Sequence, residues 1–431
     1  MKRIPTGYSL HECPPAKETA LLSIQQIIVA VFNVIPVPLL IGAGIGLSAS
    51  EITLLVAGCL LVTGLATILQ CLGAGPAGAR LPIVLECSFV FVAPGIALGS
   101  QYGLATYTGA CLVGSVVALL VWTVFRKQLL RLFEPYITGA VVTVLGISLC
   151  GTGIAYCAGG DGAADYGDPV NLLLACGTIL IMLVLGHYGK GFLARASALI
   201  AIVVMSTVSA FFGKLDLSPV LEESWFRIPQ PLHFGIAFDA GTCVTISILC
   251  VVALVELMGD LSTASMLSEN ALPTGREVRG GVLAQGISSI LSALFNMVPT
   301  ISGSANIGLC GITGVTSRFV VAVTGGVIAV CSVCPKLCAI FTAIPSAILG
   351  GVALTAFGTI LVSGMNVIRE SKPDARKATI VCASLAIGTG FSMVPDALAA
   401  FPFWASALLS GVPGTAITAI VLNLILREKR S

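Results

Sequence analysis

Two acids stand four residues apart within an apolar stretch: Glu256 and Asp260 in VALVELMGDLSTAS, residues 252 to 265. At that spacing they share one face of a helix. A carboxylate in a membrane interior costs several kcal/mol unless it is paired, hydrated or protonated, so a functional role is its default reading. The competing reading is a structural pair bonded to neighbouring hydroxyls. A second polar interruption, SANIGLCGITG, brings Asn306, Gly308, Thr313 and Gly314 into a hydrophobic chain. A third begins at Glu86, in ECSFVFVAPGIALG. Glu134, beside Arg126, Lys127 and Arg131, reads instead as a surface charge. Carboxylates and backbone amides of this kind offer hydrogen bonding to a small polar solute and carriage of a proton. They offer little for covalent catalysis. His11, His187 and His233 fall at loops or helix ends and form no HExxH pair, and the cluster Cys331, Cys334 and Cys338 has no His nearby to complete a metal set. No enzyme activity and no cofactor is expected.

The elements that hold these residues follow from composition. Of 431 residues 56% are hydrophobic and 10% charged, and mean hydropathy is +1.02. A soluble domain carries about 25% charged residues. Apolar runs of about 20 residues, enough to cross a bilayer as helices, recur throughout, and the chain reads as an all-α polytopic membrane protein. The net charge of +2 gives no footprint for nucleic acid. Most of the fifteen Cys are scattered through apolar segments, where Cys behaves as a small hydrophobe. The first residues, with Lys2, Arg3 and His11, are too polar for a signal-peptide core, so residues 1–16 read as a cytoplasmic leader.

Helices are expected at 17–35, 51–73, 104–125, 135–154, 170–187, 196–212, 242–264, 278–298, 319–334, 346–363, 377–390 and 411–426. Shorter broken segments are expected near 88–101 and 304–316. Counting both as spans gives fourteen, with both ends inside. Cytoplasmic loops are rich in Lys and Arg, and under this count all but Lys214, Arg227 and Lys336 of the 22 Lys and Arg lie inside. The outer loop AGGDGAADYGDP is acidic, rich in Gly and expected to be mobile.

The broken segments are third and tenth, hence third in each half of seven. An odd number makes the halves run oppositely, and paired interruptions in inverted repeats point to a transporter site near the midplane. Irregular backbone is tolerated there only where protein or a wet cavity covers it. In the first segment Ser88, Val90 and Val92 alternate with Phe89 and Phe91, as in a short strand, and Pro94 suits the first turn of a half-helix. In the second, a strand is expected from about Thr300 to Ala305, with Asn306 as N-cap. The two half-helix amino ends would then face one centre and favour anionic or acceptor-rich groups. The plainer alternative is that these Gly residues only allow close helix packing.

At these residues the chain resembles the nucleobase–ascorbate transporters, also called nucleobase–cation symporters, which include the xanthine and uracil permeases. The signature of that family is matched by Ala305, Asn306, Gly308, Thr313 and Gly314. The stretches SIQQIIVAVFNVIPVPLLIG, SFVFVAP, LFEPYITGAVVTVLGISL, VELMGDLS and IPSAILGGV are similar to its first, third, fifth, eighth and twelfth spans. The resemblance implies a seven-plus-seven inverted repeat in which a core domain (17–125 and 236–340) moves against a gate domain (126–235 and 341–431). It implies a plasma-membrane protein, a homodimer, and uptake of a nucleobase with a proton or, less commonly, sodium. Glu256 matches the acid that binds the base, and Asp260 a polar position one turn on. Phe89, after Ser88, matches the residue beside the base. Ser304, between Gly303 and Ala305, matches a backbone contact, and Asn306 the motif Asn.

Four residues depart from the pattern. Ala305 stands where a Gln or Glu is usual, Gln26 for a His, Gln285 for an Asp or Asn, and Glu86 for a Gly. Glu86 either stands in for the missing side chain at 305 or merely caps or hydrates its segment. Asp260 favours purines such as xanthine or urate, with uracil and ascorbate as alternatives. A rival is an anion transporter of the related sulfate-carrier fold, although Glu256 and Asp260 oppose a free anion at the site.

Overall fold

The computed structural model describes residues 7–132, 134–160, 163, 165–189, 197–401, 405–406 and 409–426. Lys2, Arg3, Lys190, Arg195, Arg427, Lys429 and Arg430, used in the charge reading, lie outside them, as do the side chains of Arg126, Lys127 and Arg131.

The protein is a mostly helical polytopic membrane protein, and each of the twelve apolar stretches forms a helix. The first part contains α1 (Ala16–Val34), α2 (Pro36–Gly44), α3 (Ala49–Leu72), β1 (Leu85–Cys87), α4 (Val92–Tyr102) and α5 (Leu104–Leu132, kinked at Phe125). There follow α6 (Pro135–Cys157), α7 (Pro169–Tyr188), α8 (Ser197–Phe211) and the short α9 (Ser218–Glu222). The later part has α10 (Ala240–Glu269), α11 (Gly275–Leu294), β2 (Thr300–Ser302), α12 (Ser304–Thr313), α13 (Arg318–Cys331) and α14 (Pro335–Thr342). It ends with α15 (Ser346–Glu370), α16 (Ala375–Met393) and α17 (Gly411–Ile425).

Among the described residues, seven helical stretches are long and apolar enough to cross a bilayer unaided: Ala16–Gly44, α3, α5 up to Phe125, α6, α7, α10 and α15. The α13–α14 pair makes an eighth if its two arms, bent by 90°, form one span. Residues 319–334 were expected as one helix; the chain breaks after Cys331, and Pro335, whose fixed φ suits a first helical position, starts another. The remaining apolar helices, Phe89–Tyr102, α8 and α17, are shorter.

Local signals set the helix starts. Ser48 and Glu51 form a capping box at α3, and Thr274 and Glu277 another at α11. Asp239 caps α10 by accepting the Thr242 amide at 2.8 Å. Small residues let helices approach closely. A Cβ on Gly64 would stand 2.5 Å from the Gly325 carbonyl oxygen, so α3 and α13 meet backbone to backbone. Likewise α5 packs on α10 and α11, and α6 on α15. One large apolar core runs through α1–α8, α10–α15 and α17. A smaller one, with Tyr136, Ile137, Ile380, Val381 and Ala419, joins α6, α16 and α17.

The two broken segments form one small antiparallel sheet. Leu85 pairs with Ser302, Glu86 with Ile301 and Cys87 with Thr300. The ladder is extended by Gly303 N–H donating to Val84 O (2.8 Å) and Ser88 N–H to Pro299 O (3.2 Å). The expected strand over Ser88–Val92 is not formed. Ser88 Oγ accepts the Val90 amide at 3.2 Å and turns the chain into a 3-10 turn, Phe89–Phe91, ahead of α4. Nor is Asn306 an N-cap. Gly303 holds that position and the helix starts at Ser304.

Two surface segments are more fastened than their composition suggests. Leu10 of the leader is buried, and residues 8–12 bind the start of α13: Thr316 N–H donates to Tyr8 O (2.8 Å), and Ser317 Oγ to Glu12 O (2.6 Å). At the end of the acidic loop, Lys214 bridges Asp165 (2.6 Å) and Asp168 (2.7 Å). Asp161 lies outside the described residues.

Candidate functional site

Helix α10 presents Glu256 and Asp260 to the sheet, and the two acids meet different neighbours. Asp260 is buried. Ser302 Oγ donates to its Oδ2 at 2.5 Å, and Ser304 Oγ lies 2.9 Å from both carboxyl oxygens. The hydroxyl-bonded alternative therefore holds for Asp260, which ties α10 to the β2–α12 junction. Glu256 is half-buried, and its carboxyl receives no hydrogen bond from the described residues. It faces a cavity of about 520 Å³ lined also by Asp260, Ser304 and Gly308, by Trp122 and Thr138, and by Ser363 of α15. A few polar groups in a largely apolar wall is the usual make-up of a small-molecule site.

A second cavity, of about 290 Å³, adjoins the first broken segment. Val90, Ala93 and Pro94 line it, with Ser148 of α6, Phe391 of α16 and Ser410. Between the two cavities is a gap of only about 10 Å³, lined by Val90, Val141, Leu145, Val252, Glu256 and Val412 among others. Glu256 thus stands at the constriction. The amino ends of α4 and α12 leave the same sheet but open on different cavities, α4 on the smaller and α12 on the larger.

The other residues chosen from sequence fall into two groups. Phe89 is half-buried, its ring edge-on to Phe357 at 5.3 Å. Ser304, Ala305 and Gly308 are exposed on α12. The N–H groups of Ser304 and Ala305, at the helix start where no intrahelical acceptor exists, make no hydrogen bond among the described residues. The second group holds the first in place. Ser88 and Gly303 are buried in the sheet and its turn. Asn306 Nδ2 donates to Gln26 Oε1 (2.7 Å) and O (3.1 Å), and Gln26 Nε2 reaches Cys310 Sγ at 3.2 Å, which joins α12 to α1. Thr313 Oγ1 donates to Leu309 O (2.8 Å), and Gly314, at φ 70°, ends α12 in the left-handed conformation. Gln285 donates to Ala253 O at 3.4 Å. Glu86 is not on the cavity wall; it lies behind Gly303.

Sequence reading did not single out Ser302, Phe357, Thr138 or Ser363. Ser302 lies in the same broken stretch as Ser304, and alternation along a short strand was a signal for it. Phe357, Thr138 and Ser363 sit in ordinary apolar helices, where nothing local distinguishes a cavity-facing residue.

The family model Xan_ur_permease, described as Permease family, matches residues 17–397. The uric acid permease PucJ of Bacillus subtilis (strain 168) is 37% identical over 421 residues, covering 95% of this chain and 93% of that protein. The xanthine permease of the same organism is 34% identical over 411 residues, with 95% and 93% covered. Xanthine permease XanP of Escherichia coli (strain K12) is 32% identical over 439 residues, with 97% and 94% covered. Two solved structures share the fold at low identity. The transmembrane domain of the cyanobacterium bicarbonate transporter BicA has a TM-score of 0.61 at 14% identity, covering 94% of this chain and 98% of that one. Murine Slc26a9, an anion transporter, has a TM-score of 0.63 at 12% identity, covering 99% and 69%. With its broken segments paired at a cavity and a family match over nearly its whole length, this chain belongs to the Xan_ur_permease family of permeases.

Proposed function

We propose that the protein takes up a purine base, xanthine or urate, across the plasma membrane together with a proton, by alternating access. The observation that carries this reading is Glu256, without a hydrogen-bond partner among the described residues, at the constriction between two cavities and in one cavity wall with Ser304, which opens α12. A purine presents donors and acceptors along its edges. Glu256 accepts from ring N–H groups while the Ser304 amide donates to acceptors; Phe89 and Ala305 are not among the residues that line this cavity. Polar groups left unmatched in such a site cost about 1–3 kcal/mol each, which gives selectivity. Relatives named as xanthine and uric acid permeases favour purines over uracil or ascorbate. The likeness to BicA and Slc26a9 is one of fold, and the acids at 256 and 260 argue against a free anion as cargo. Proton binding at Glu256 offsets the penalty of carrying a carboxylate through a dry constriction; sodium is the less favoured coupling ion.

The reading includes fourteen crossings in two inverted halves, with both termini cytoplasmic. It is supported by correspondences between the halves. The two capping boxes open α3 and α11, each of which leads to a strand of the sheet, and α3 packs on α13 as α11 packs on α5. The smaller core of α6, α16 and α17 supports a gate domain, with α6 and α17 also packing into the large core, and a homodimer would anchor that gate. Uptake of labelled xanthine into proteoliposomes tests all of this. Acid outside should stimulate it, a protonophore should collapse it, and unlabelled urate should compete better than uracil or ascorbate. Uptake that needs sodium and ignores pH would overturn proton symport, and competition by bicarbonate or sulfate alone would favour the anion reading.

A further inference from the structure

The smaller cavity, of about 290 Å³, is at the small end of the range for ligand sites, about 300–1,000 Å³. No Asp, Glu, Lys, Arg or His among the described residues lines it. Its side-chain polar groups are hydroxyls, and they differ in what they hold. Thr245 Oγ1 donates to Gly241 O at 3.0 Å, and Ser406 Oγ to Leu398 O at 3.1 Å. Ser148 of α6, Ser392 of α16 and Ser410 make no side-chain hydrogen bond among the described residues. Two of these three converge: Ser392 Oγ lies 3.3 Å, and Ser148 Oγ 3.9 Å, from where a Cβ of Gly411 would stand. Ser148 Oγ is enclosed, and an enclosed hydroxyl without a partner is costly unless something else fills that role. Gly411 opens α17 and, with Val412, lines the same cavity. The N–H groups of both, in a first turn that offers no intrahelical acceptor, bond to none of the described residues.

Donors gathered at one end of an apolar chamber, at a helix end that carries positive partial charge, select a solute with acceptor atoms on an apolar body. The carbonyl edge of an oxopurine has that chemistry. The larger cavity offers the complement, an acid that accepts from ring N–H groups. The two cavities are separate, but Val90, Leu145 and Val412 belong both to the wall of the smaller one and to the gap at Glu256. We propose that the smaller cavity is a second binding site for the same base, a waiting site in which Ser148, Ser392, Ser410 and the amino end of α17 hold its carbonyl edge on the far side of the constriction. Without an ionisable group in its wall, the site binds the base with no proton of its own. The proposal rests on the purine reading for its solute, but not on Glu256 or on a coupled proton.

The test reads the occupancy of each cavity in the purified protein, as the protection that xanthine gives an introduced cysteine against a thiol reagent. Ala97→Cys reports on the smaller cavity, which exposed Ala97 lines, and Ser363→Cys on the larger. The exposed native cysteines, Cys13, Cys176 and Cys382, are replaced first. Xanthine should protect both positions. Ser148→Ala combined with Ser392→Ala should raise the half-protecting concentration at position 97 about tenfold. The same pair should leave position 363 unchanged, which also shows that the variant is folded. Glu256→Gln should weaken protection at 363 and leave 97 as it was. Three results each overturn the proposal: no protection at 97, indifference of 97 to the paired Ser→Ala changes, or loss of protection at 97 in Glu256→Gln. The last would make position 97 a reporter of closure around the central site. Uptake into proteoliposomes separates this proposal from the purine reading. Uptake without protection at 97 removes the second site alone. Protection at 97 in a protein that takes up neither xanthine nor urate removes purine transport and leaves the second site standing.

Discussion

One helical turn separates Glu256 from Asp260, and the difference in their partners predicts a difference in what each tolerates. Asp260 is held by Ser302 and Ser304, so Ser302→Ala removes a charge-assisted bond in a buried place. Such a loss costs roughly 1.5–3 kcal/mol, and it should appear as a lower melting temperature with the order of competing bases unchanged. Glu256 has no such structural duty. Glu256→Gln should fold with nearly the wild-type melting temperature and lose uptake, because an amide turns one of the two accepting oxygens into a donor and carries no exchangeable proton charge. If Glu256→Gln melted far below wild type, its carboxyl would have to be structural. The sequence made both acids legible as a pair on one face. It did not reveal which was bonded, because the donors, Ser302 of β2 and Ser304 of α12, lie 42 and 44 residues away and only tertiary packing brings them to Asp260.

At the level of elements, helix positions and the second strand were readable and the first strand was not: β2 starts at Thr300, where a strand was expected. The S/T-x-x-E signatures at Ser48 and Thr274 mark the starts of α3 and α11 as written. The strand Leu85–Cys87 is three residues long and buried throughout, so no alternation marks it. The expectation accordingly placed the first strand too late and made Asn306 a cap, whereas its amide bridges α12 to α1. The leader is a similar case. Leu10 looks like an isolated hydrophobe in a polar tail, yet it is 4% exposed against the start of α13. Leu10→Ala should destabilise by about 2–5 kcal/mol if the site cannot collapse, measured as a fall in melting temperature that the exposed Leu21→Ala does not reproduce.

The acidic loop makes a prediction about pH. The hydrogen bond from Lys214 holds the carboxyls of Asp165 and Asp168 below their ordinary range, and the bonds to Asp165 and then Asp168 hold the Lys214 ammonium above its own. Acids with lowered values stabilise the fold above the ordinary carboxylate range and lose that contribution as the pH falls through the folded value. A raised lysine loses its contribution only as strongly alkaline pH is approached. The latch is therefore complete at neutral pH. Lys214→Met should lower the melting temperature at neutral pH, less so in high salt because the groups are exposed, and the difference should vanish in acid. A difference that persisted in acid would mean that Lys214 acts through packing.

For the whole molecule, the arrangement of cavities makes sidedness testable. The larger cavity reaches Trp122 and Pro135, which flank the basic 126–131 connection; the smaller reaches Phe391 and Ser410, at the ends of α16 and α17. On the proposed topology the first end is inside and the second outside, with the gap at Glu256 between them. A cysteine in place of Ser363 should then react with a membrane-impermeant thiol reagent from the cytoplasmic side only, and one in place of Ser410 from the outside only. Xanthine should slow the reaction at position 363, since Ser363 shares a cavity wall with Glu256 and Ser304. The native cysteines set the background, and the exposed ones, Cys13, Cys176 and Cys382, are replaced first. If the proposed alternating access operates through the gap at Glu256, Glu256→Gln should change the ratio of the two labelling rates rather than both in parallel. Labelling of both positions from the same side would reverse half of the topology and remove the alternating-access reading, whatever the solute carried.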